Sequence, residues 1–337
     1  MGTNDEWLAQ VTEDALDPDL PICDPHHHLW DFQHERIEPR YLLDEILKDV
    51  SSGHNIVSTV FIQCATMFRA DGPEAMKPVG EVEFVNGIAA MAASGLYGKT
   101  RIAAGIVGYA DMMLGSAAGD VLDAEIAAGN GRFKGIRHMA TWDADPAVPN
   151  GRFIDRGGLL MEPAYRDGVR ELTKRGLTFE GWCYHPQLPE MIDLARAHPD
   201  QVIIMNHLAA PLGLGSYAGR REEVFEVWKD YFAELATCPN VVAKLGGLNM
   251  EYLGFGWQHR PKPPTSDELV EATRPYFDFV IEKFGPDRCM WESNFPVDKL
   301  SSSYNILWNS FKKISKDFSA GEKAKLFHDT AVRVYSL

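Results

Sequence analysis

The sequence predicts an α/β fold in which strands and helices alternate along a single chain. Eight short β-rich runs are each followed by a helical stretch, and several runs are apolar through their centres, as in VSTVFIQC and QVIIMNHL. Continuous apolar strands are typical of parallel strands covered on both faces. Eight such units favour one closed (β/α)8 barrel of the TIM type over an open sheet. The predicted strands are 22–30, 56–64, 101–109, 133–140, 177–185, 202–208, 241–247 and 288–294.

The helices between these strands carry recognisable start signals. Thr265 with Glu268, and Ser319 with Glu322, have the spacing of a capping box ahead of amphipathic stretches. Neither a GxGxxG segment after the first strand nor a P-loop is present, so both nucleotide-binding fingerprints are absent. We therefore expect an N-terminal extension over 1–20 and one barrel domain over 21–337.

Composition excludes several classes of function. The chain has 337 residues and a net charge of −15, which disfavours nucleic-acid and anionic-membrane partners. No apolar run approaches the roughly 20 residues of a membrane span, and the acidic N-terminus lacks the pattern of a signal peptide. The five cysteines are scattered without a CxxC pair, which argues against a disulfide framework. These features indicate a cytoplasmic protein that acts on a small molecule.

Three connections are longer than usual, and all three follow strands. They are 141–162, 209–220 and 248–264, and they place long loops on the C-terminal face, where barrel enzymes keep their active sites. Tyr252 and Trp257, in the third loop, could stack on a substrate ring or pack a lid against itself. We interpret the loops as walls of a small-molecule pocket, with plain surface decoration as the alternative.

Histidines cluster at the ends of the predicted strands. His26 and His28 share one face of the first strand, because side chains alternate along a strand. His185 ends the fifth strand and His207 ends the sixth. The four imidazoles are therefore predicted to form one site that suits a divalent metal, with zinc as the first choice. Trp182 and Tyr184 alternate away from His185, so we expect them to pack between barrel and helices.

Five motifs in order resemble the amidohydrolase superfamily, most closely the branch that contains sugar-acid lactonases and the pyrone-dicarboxylate lactonase. They are DPHHHLWDF, GIRHM, NHLAAP, KLGGL and SNFPVD, and they span the chain from Ile22 onward. The resemblance implies a distorted TIM barrel that hydrolyses an ester or amide carbonyl with water. It also implies that His26, His28, His185 and His207 surround a metal or the substrate, and that a strand-8 aspartate takes the proton of the attacking water.

This sequence departs from that pattern at the aspartate, because Asn294 stands in its place. An amide cannot act as a general base at neutral pH. Glu292 lies two residues earlier on the same face, about 7 Å deeper, where the family has glycine. It could restore the missing carboxylate, or it could be a buried partner of an arginine or lysine. Asp298 is a second candidate if its loop turns inward.

Polar side chains on other strands are candidates for substrate binding. Arg137 and His138 point to opposite faces of the fourth strand, so at most one faces the mouth of the barrel. Lys244 lies in an otherwise apolar run, which favours a functional role over simple burial. Gln63 near the end of the second strand is a further candidate. In a mechanism without metal, the histidines, Arg137 and Lys244 would bind a substrate carboxylate or stabilise the oxyanion.

These observations predict a hydrolase that opens a small carboxylated or sugar-acid lactone by attack of an activated water. A divalent metal could assist or be absent. One alternative is a metal-dependent, non-oxidative decarboxylase of an aromatic acid. The other is a barrel that has lost catalysis and only binds a small ligand. A homodimer is the default expectation for such a barrel.

Overall fold

The computed structural model describes residues 4–31 and 40–337, and it shows one eight-stranded parallel sheet. The strands follow the chain order, and each pairs with the next. They are β1 (Pro21–His27), β2 (Asn55–Ile62), β3 (Arg101–Gly108), β4 (Phe133–Ile136), β5 (Thr178–Gly181), β6 (Ile203–Met205), β7 (Val241–Leu245) and β8 (Cys289–Trp291).

The sheet closes between its first and last strands. His27 and Phe295 form a parallel bridge, His28 N donates to Phe295 O at 2.7 Å, and Asn294 N donates to His26 O at 2.9 Å. The predicted TIM barrel is therefore confirmed, with one barrel domain.

Several strands end earlier than predicted because their last residues turn out of the sheet. His185 begins the 3₁₀ turn His185–Gln187, and His207 begins the 3₁₀ turn His207–Ala209. Backbone in such turns no longer alternates with the strand, so the direction of a side chain there does not follow from strand parity.

A helix follows each strand of the barrel. In chain order the described helices are α1 (Asp5–Leu8), α2 (Leu43–Val50), α3 (Val79–Ala93), α4 (Ala118–Gly129), α5 (Pro163–Arg175), α6 (Leu188–Ala197), α7 (Arg221–Ala236), α8 (Ser266–Phe284), α9 (Tyr304–Ile314), α10 (Ala320–Ala324) and α11 (Thr330–Tyr335). Those that follow the strands run from α2 after β1 to α9 after β8. Both predicted capping boxes form: Thr265 Oγ1 accepts from Glu268 N, and Ser319 Oγ accepts from Glu322 N. None of the helices in the two described stretches is long and apolar enough to cross a membrane.

The lower half of the barrel interior is apolar. A buried cluster joins inward side chains of six strands to α11, which lies beneath the barrel through Ala331 and Tyr335. The strand members of the cluster are Cys23, Val60, Ile62, Val107, Ile204, Val242 and Met290. Polar side chains fill the space above this layer, so the interior changes from apolar to polar towards the C-terminal ends of the strands.

The predicted N-terminal extension lies against the C-terminal half of the chain. Trp7 Nε1 donates to Arg260 O at 3.1 Å, and Glu13 Oε1 accepts from Ser266 N at 2.9 Å at the start of α8. The first strand of the barrel, β1, begins at Pro21. Residues 1–3 of the predicted extension lie outside the described residues.

Candidate active site

A pocket of about 240 Å³ opens at the C-terminal ends of the strands. This is less than the roughly 300–1,000 Å³ typical of pockets for drug-sized ligands, so it suits a small molecule. Its lining comes from the ends of six strands and from the long loops after β4 and β7: His28, Trp30, Cys64, Arg137, Met139, Thr141, Asn150, Gly151, Arg152, Trp182, Tyr184, His207, Met250, Tyr252, Asn294 and Val297.

Two lining residues have a positive φ, which most residues other than glycine rarely adopt. His207 has φ 52° and Asn294 has φ 55°. Positive φ continues after His207 through Leu208, Ala209 and Ala210. Residues held in this region cost roughly 1–3 kcal/mol each and cluster at functional sites. These conformations make the ends of β6 and β8 candidates for functional segments.

The carboxylate of Glu292 joins two histidines beneath the pocket. Its Oε1 lies 2.7 Å from Nδ1 of His207, and its Oε2 lies 2.7 Å from Nδ1 of His26. A carboxylate only accepts, so His207 carries its proton on Nδ1 and its lone pair on Nε2. Glu292 is fully buried and does not line the pocket. The predicted glutamate is therefore present at the site, but it acts on the pocket through the histidines.

The two glycines of KLGGL make this arrangement possible. A Cβ on Gly246 would lie 2.4 Å from Glu292 Cγ, and a Cβ on Gly247 would lie 2.3 Å from His207 Nδ1. Gly247 also has φ 69°, which favours glycine. Because these two glycines lack side chains, the end of β7 leaves room for the side chains of Glu292 and His207.

Burial favours the neutral form of both histidines. Burial, followed by the nearby charge of Lys244, holds the pKa of His26 well below its ordinary value. Burial also lowers the pKa of His207, against the opposing effect of Glu292. Lys244 Nζ lies 3.2 Å from His26 Nδ1, and Arg137 NH1 lies 3.3 Å from His26 Nε2. Neutral imidazoles can accept a proton or bind a metal.

The same residues fit a divalent metal. One ligand atom from each of His26, His207 and Glu292 lies within 4.8 Å of the others, and all three residues are buried. Glu292 Oε2 makes no directed hydrogen bond, and imidazole with carboxylate is a common ligand set for zinc. The positive charges of Arg137 and Lys244 oppose an ion at this place; Glu180 pairs with Lys244, and Glu292 supplies one negative charge among the ligands.

His28 lines the pocket but does not belong to this group of three. Its Nδ1 lies 2.7 Å from the carbonyl oxygen of Ile62, which can only accept, so Nδ1 carries a proton. The predicted pairing of His26 and His28 on one face is present, with ring centroids 5.0 Å apart.

Asn294 and Asp298 form a pair at the end of β8. Asn294 Nδ2 donates to Asp298 Oδ1 at 3.0 Å, which leaves Asn294 Oδ1 as an acceptor without a hydrogen-bond partner among the described residues. Asp298 is fully buried, so its loop does turn inward, and burial raises its pKa well above the ordinary value. Because Asp298 does not line the pocket, its contact with the site runs through the amide of Asn294.

The pocket is electropositive although the protein is acidic. Arg137 and Arg152 are the lining residues with a permanent charge, and no aspartate or glutamate is among the lining residues. Arg137 is held by Gln63, whose Oε1 accepts from Nε at 3.4 Å and whose backbone oxygen accepts from NH2. Gln63 thus positions Arg137 and does not itself line the pocket.

Three predicted site residues are placed elsewhere. His185 turns away within its 3₁₀ turn, where its Nδ1 accepts from Leu212 N at 3.2 Å and its ring faces Tyr217. Lys244 lies below the pocket, 2.9 Å from Glu180 Oε2. Trp257 packs in a separate apolar cluster with Leu269 and Ile306. The structure therefore does not bring His185, Lys244 or Trp257 to the pocket, whereas it does bring Tyr252.

Trp182 and Tyr184 are the lining residues for which the strand-parity argument gave the opposite direction. Both line the pocket, and Trp182 contacts the His207 ring edge-to-face at 4.6 Å between centroids. The prediction took His185 as the inward residue of β5. By strand alternation, Trp182 and Tyr184 were then expected to point outward. Glu180, an inward polar residue two positions before Trp182, was the signal that could have reversed this assignment.

A closed (β/α)8 barrel with histidines, a carboxylate and arginines at the C-terminal ends of its strands has the arrangement of a barrel-enzyme active site. A family model described as amidohydrolase matches residues 23–337, and the chain belongs to this family. It is 34% identical to the uncharacterized protein y4mH of Sinorhizobium fredii, over 94% of this chain and 99% of that protein. It is 25% identical to an L-fucono-1,5-lactonase of Burkholderia multivorans, over 71% of this chain and 73% of that enzyme. Among solved structures, it resembles a zinc-bound amidohydrolase of Burkholderia multivorans with a TM-score of 0.70 and 22% identity, over 94% of this chain and 99% of that one.

Proposed function

We propose that this amidohydrolase is a lactonase that opens a small lactone carrying a carboxylate or derived from a sugar acid. The observation that carries the proposal is the Glu292–His207 pair at the base of a pocket whose permanent charges are both positive. The similarity to an L-fucono-1,5-lactonase supports the same reaction type.

The Glu292–His207 pair supplies the proton acceptor that Asn294 cannot provide. With Nδ1 donating to Glu292, the lone pair at His207 Nε2 is available to take a proton from water. The developing imidazolium is stabilised by the buried carboxylate. Asn294 Oδ1, which has no other partner among the described residues, accepts a hydrogen bond from the attacking water and orients it.

The arginines bind and stabilise negative charge. The guanidinium of Arg137 lies at the base of the pocket, where it stabilises the oxyanion that forms when water adds to the lactone carbonyl. Arg152 enters from the long loop after β4 and pairs with a substrate carboxylate. The rings of Trp182 and Tyr252 exclude water around the lactone ring.

A divalent ion, for which we propose zinc, would be held by His26, His207 and Glu292. When bound, such an ion supplies Lewis-acid polarisation of the carbonyl and lowers the pKa of a water. In that arrangement His207 and Glu292 are ligands, and Asn294 and Arg137 keep the roles described above.

The test is proton release from a panel of lactones, using purified protein with and without a chelator and with zinc or manganese restored. We expect turnover of carboxylated or sugar-acid lactones. Turnover that the chelator abolishes and zinc restores assigns His26, His207 and Glu292 to a metal. Turnover that is unaffected by the chelator assigns to His207 the acceptance of the proton from water, without a metal. Absence of turnover for every lactone under every condition would overturn the proposal.

A further inference from the structure

A row of buried polar groups runs beneath the pocket from α11 to His26. The hydroxyl of Tyr335 donates to Glu180 Oε1. Glu180 Oε2 lies 2.9 Å from Lys244 Nζ, and Lys244 Nζ lies 3.2 Å from His26 Nδ1. All four residues are at most 1% exposed. The row therefore connects the last helix of the chain to a histidine of the candidate active site.

The groups below Lys244 determine where its ammonium lies. A buried ammonium is tolerated only with a counter-ion in good geometry, and Glu180 is that partner. Glu180 is itself held on both oxygens, by Tyr335 through Oε1 and by Asn206 Nδ2 through Oε2. The Tyr335 ring adds a cation–π contact, with Lys244 Nζ 5.6 Å from its centroid.

We propose that Tyr335 and Glu180 are positioning residues, which hold Lys244 beside His26 Nδ1 and so, together with Glu292 Oε2 at the same nitrogen, set the orientation of the His26 imidazole at the active site. Lys244 does not line the pocket, so its contact with His26 is set from below and not by substrate. Helix α11, which lies under the barrel, is in this way part of the active-site framework. The role in orientation does not depend on the reaction; only the kinetic readout rests on the proposed lactonase function.

The test compares Tyr335→Phe, which removes one hydroxyl and keeps the ring, with Tyr165→Phe as matched control. Tyr165 is equally buried, and its hydroxyl donates to the backbone oxygen of His138, outside this row. The protein is labelled with ¹⁵N-histidine, and the His26 ring resonances are assigned by their loss in His26→Gln. We expect Tyr335→Phe to shift the His26 ring nitrogens and Tyr165→Phe to leave them in place. On a lactone that the wild type hydrolyses, Tyr335→Phe should lower kcat severalfold with little change in KM.

A double-mutant cycle separates action through Lys244 from general loosening of the barrel. In the background Glu180→Gln/Lys244→Met, which removes both charges together, Tyr335→Phe should produce no further shift at His26. The proposal is overturned if His26 is unmoved in Tyr335→Phe, if Tyr165→Phe moves it equally, or if the shift persists in the double background. If the wild type hydrolyses no lactone, the proposed function fails, and the His26 resonances still decide this inference.

Discussion

Glu292 and His207 are separated by 85 residues, yet Glu292 Oε1 lies 2.7 Å from His207 Nδ1 in the interior of the barrel. The same oxygen also accepts from the backbone N–H of His207 at 3.3 Å. This double contact fixes both the ring and the strained backbone of His207 at the end of β6. A chain with asparagine at position 294 therefore has a buried carboxylate at its candidate active site.

Replacement of Glu292 by glutamine should abolish most activity while the barrel stays folded. The amide cannot stabilise an imidazolium, and it is a poorer metal ligand, so kcat should fall by about 10²–10⁴-fold. Steady-state kinetics and metal content, measured together, check this expectation. The control is Glu226→Gln, an exposed glutamate of α7 that pairs with Lys229. Full turnover in Glu292→Gln would contradict a role for this carboxylate.

Alanine at Gly247 should damage both stability and activity. Its Cβ would lie 2.3 Å from His207 Nδ1, and the residue has φ 69°. A left-handed residue and an overpacked contact together predict a loss of roughly 2–5 kcal/mol in the free energy of unfolding. Urea unfolding and kcat are the measurements.

Gly219→Ala separates the two causes. Gly219 has φ 74° but nothing within 4 Å of an added Cβ, so it should lose only about 1–2 kcal/mol and retain activity. Equal effects of the two substitutions would show that the contact with His207 is unimportant.

Removal of the charge of Arg152 should weaken binding of anionic substrates. We expect Arg152→Gln to raise KM for a carboxylated lactone roughly three- to tenfold, the loss of a charge-assisted contact at a partly open site. KM for a neutral lactone should not change. Arg196→Gln makes the same charge change on α6, where Arg196 pairs with Glu234, and should leave both values unchanged. A rise of KM for both substrates in Arg152→Gln would indicate a structural role instead.

The buried carboxyl of Glu81 should make stability depend on pH. Burial raises the pKa of Glu81 from 4.5 to about 7, although Oε1 accepts from the backbone of Cys64 and Thr66. The native state thus binds this proton more tightly than the unfolded state. Its contribution to the free energy of unfolding is fully present below pH 4.5 and is lost as pH rises to about 7, on the order of 3 kcal/mol.

Urea unfolding at pH 5 and pH 8 measures this effect. Glu81→Gln, which stays neutral, should lose less stability between the two pH values than the wild type. Glu83→Gln, an exposed change on the same helix, should keep the wild-type difference, since Glu83 is paired with Arg69 and has a lowered pKa. Parallel pH dependence in wild type and Glu81→Gln would refute the assignment.

The amino-acid sequence by itself determined the barrel and the composition of its active face. Hydrophobic runs of strand length, helix caps and their alternation are local properties, so all eight strands could be predicted within a few residues. The strand-end residues His26, His28, His207 and Asn294, and the departure of Asn294 from the family pattern, were equally visible, as was Glu292 as the candidate carboxylate.

The tertiary structure alone decided which of these side chains meet. His185 and Trp182 exchanged their expected places because the inward residues of β5 and its extension are Glu180, Trp182 and Tyr184, whereas His185 begins a 3₁₀ turn after the strand. Lys244 pairs with Glu180 below the pocket because a buried ammonium requires a counter-ion, and that partner lies two strands away. Such contacts depend on the height of each residue in the closed barrel and on the position of helix α11 beneath it. Both are set by residues far apart in the chain, so hydrophobic periodicity and motif spacing cannot predict them.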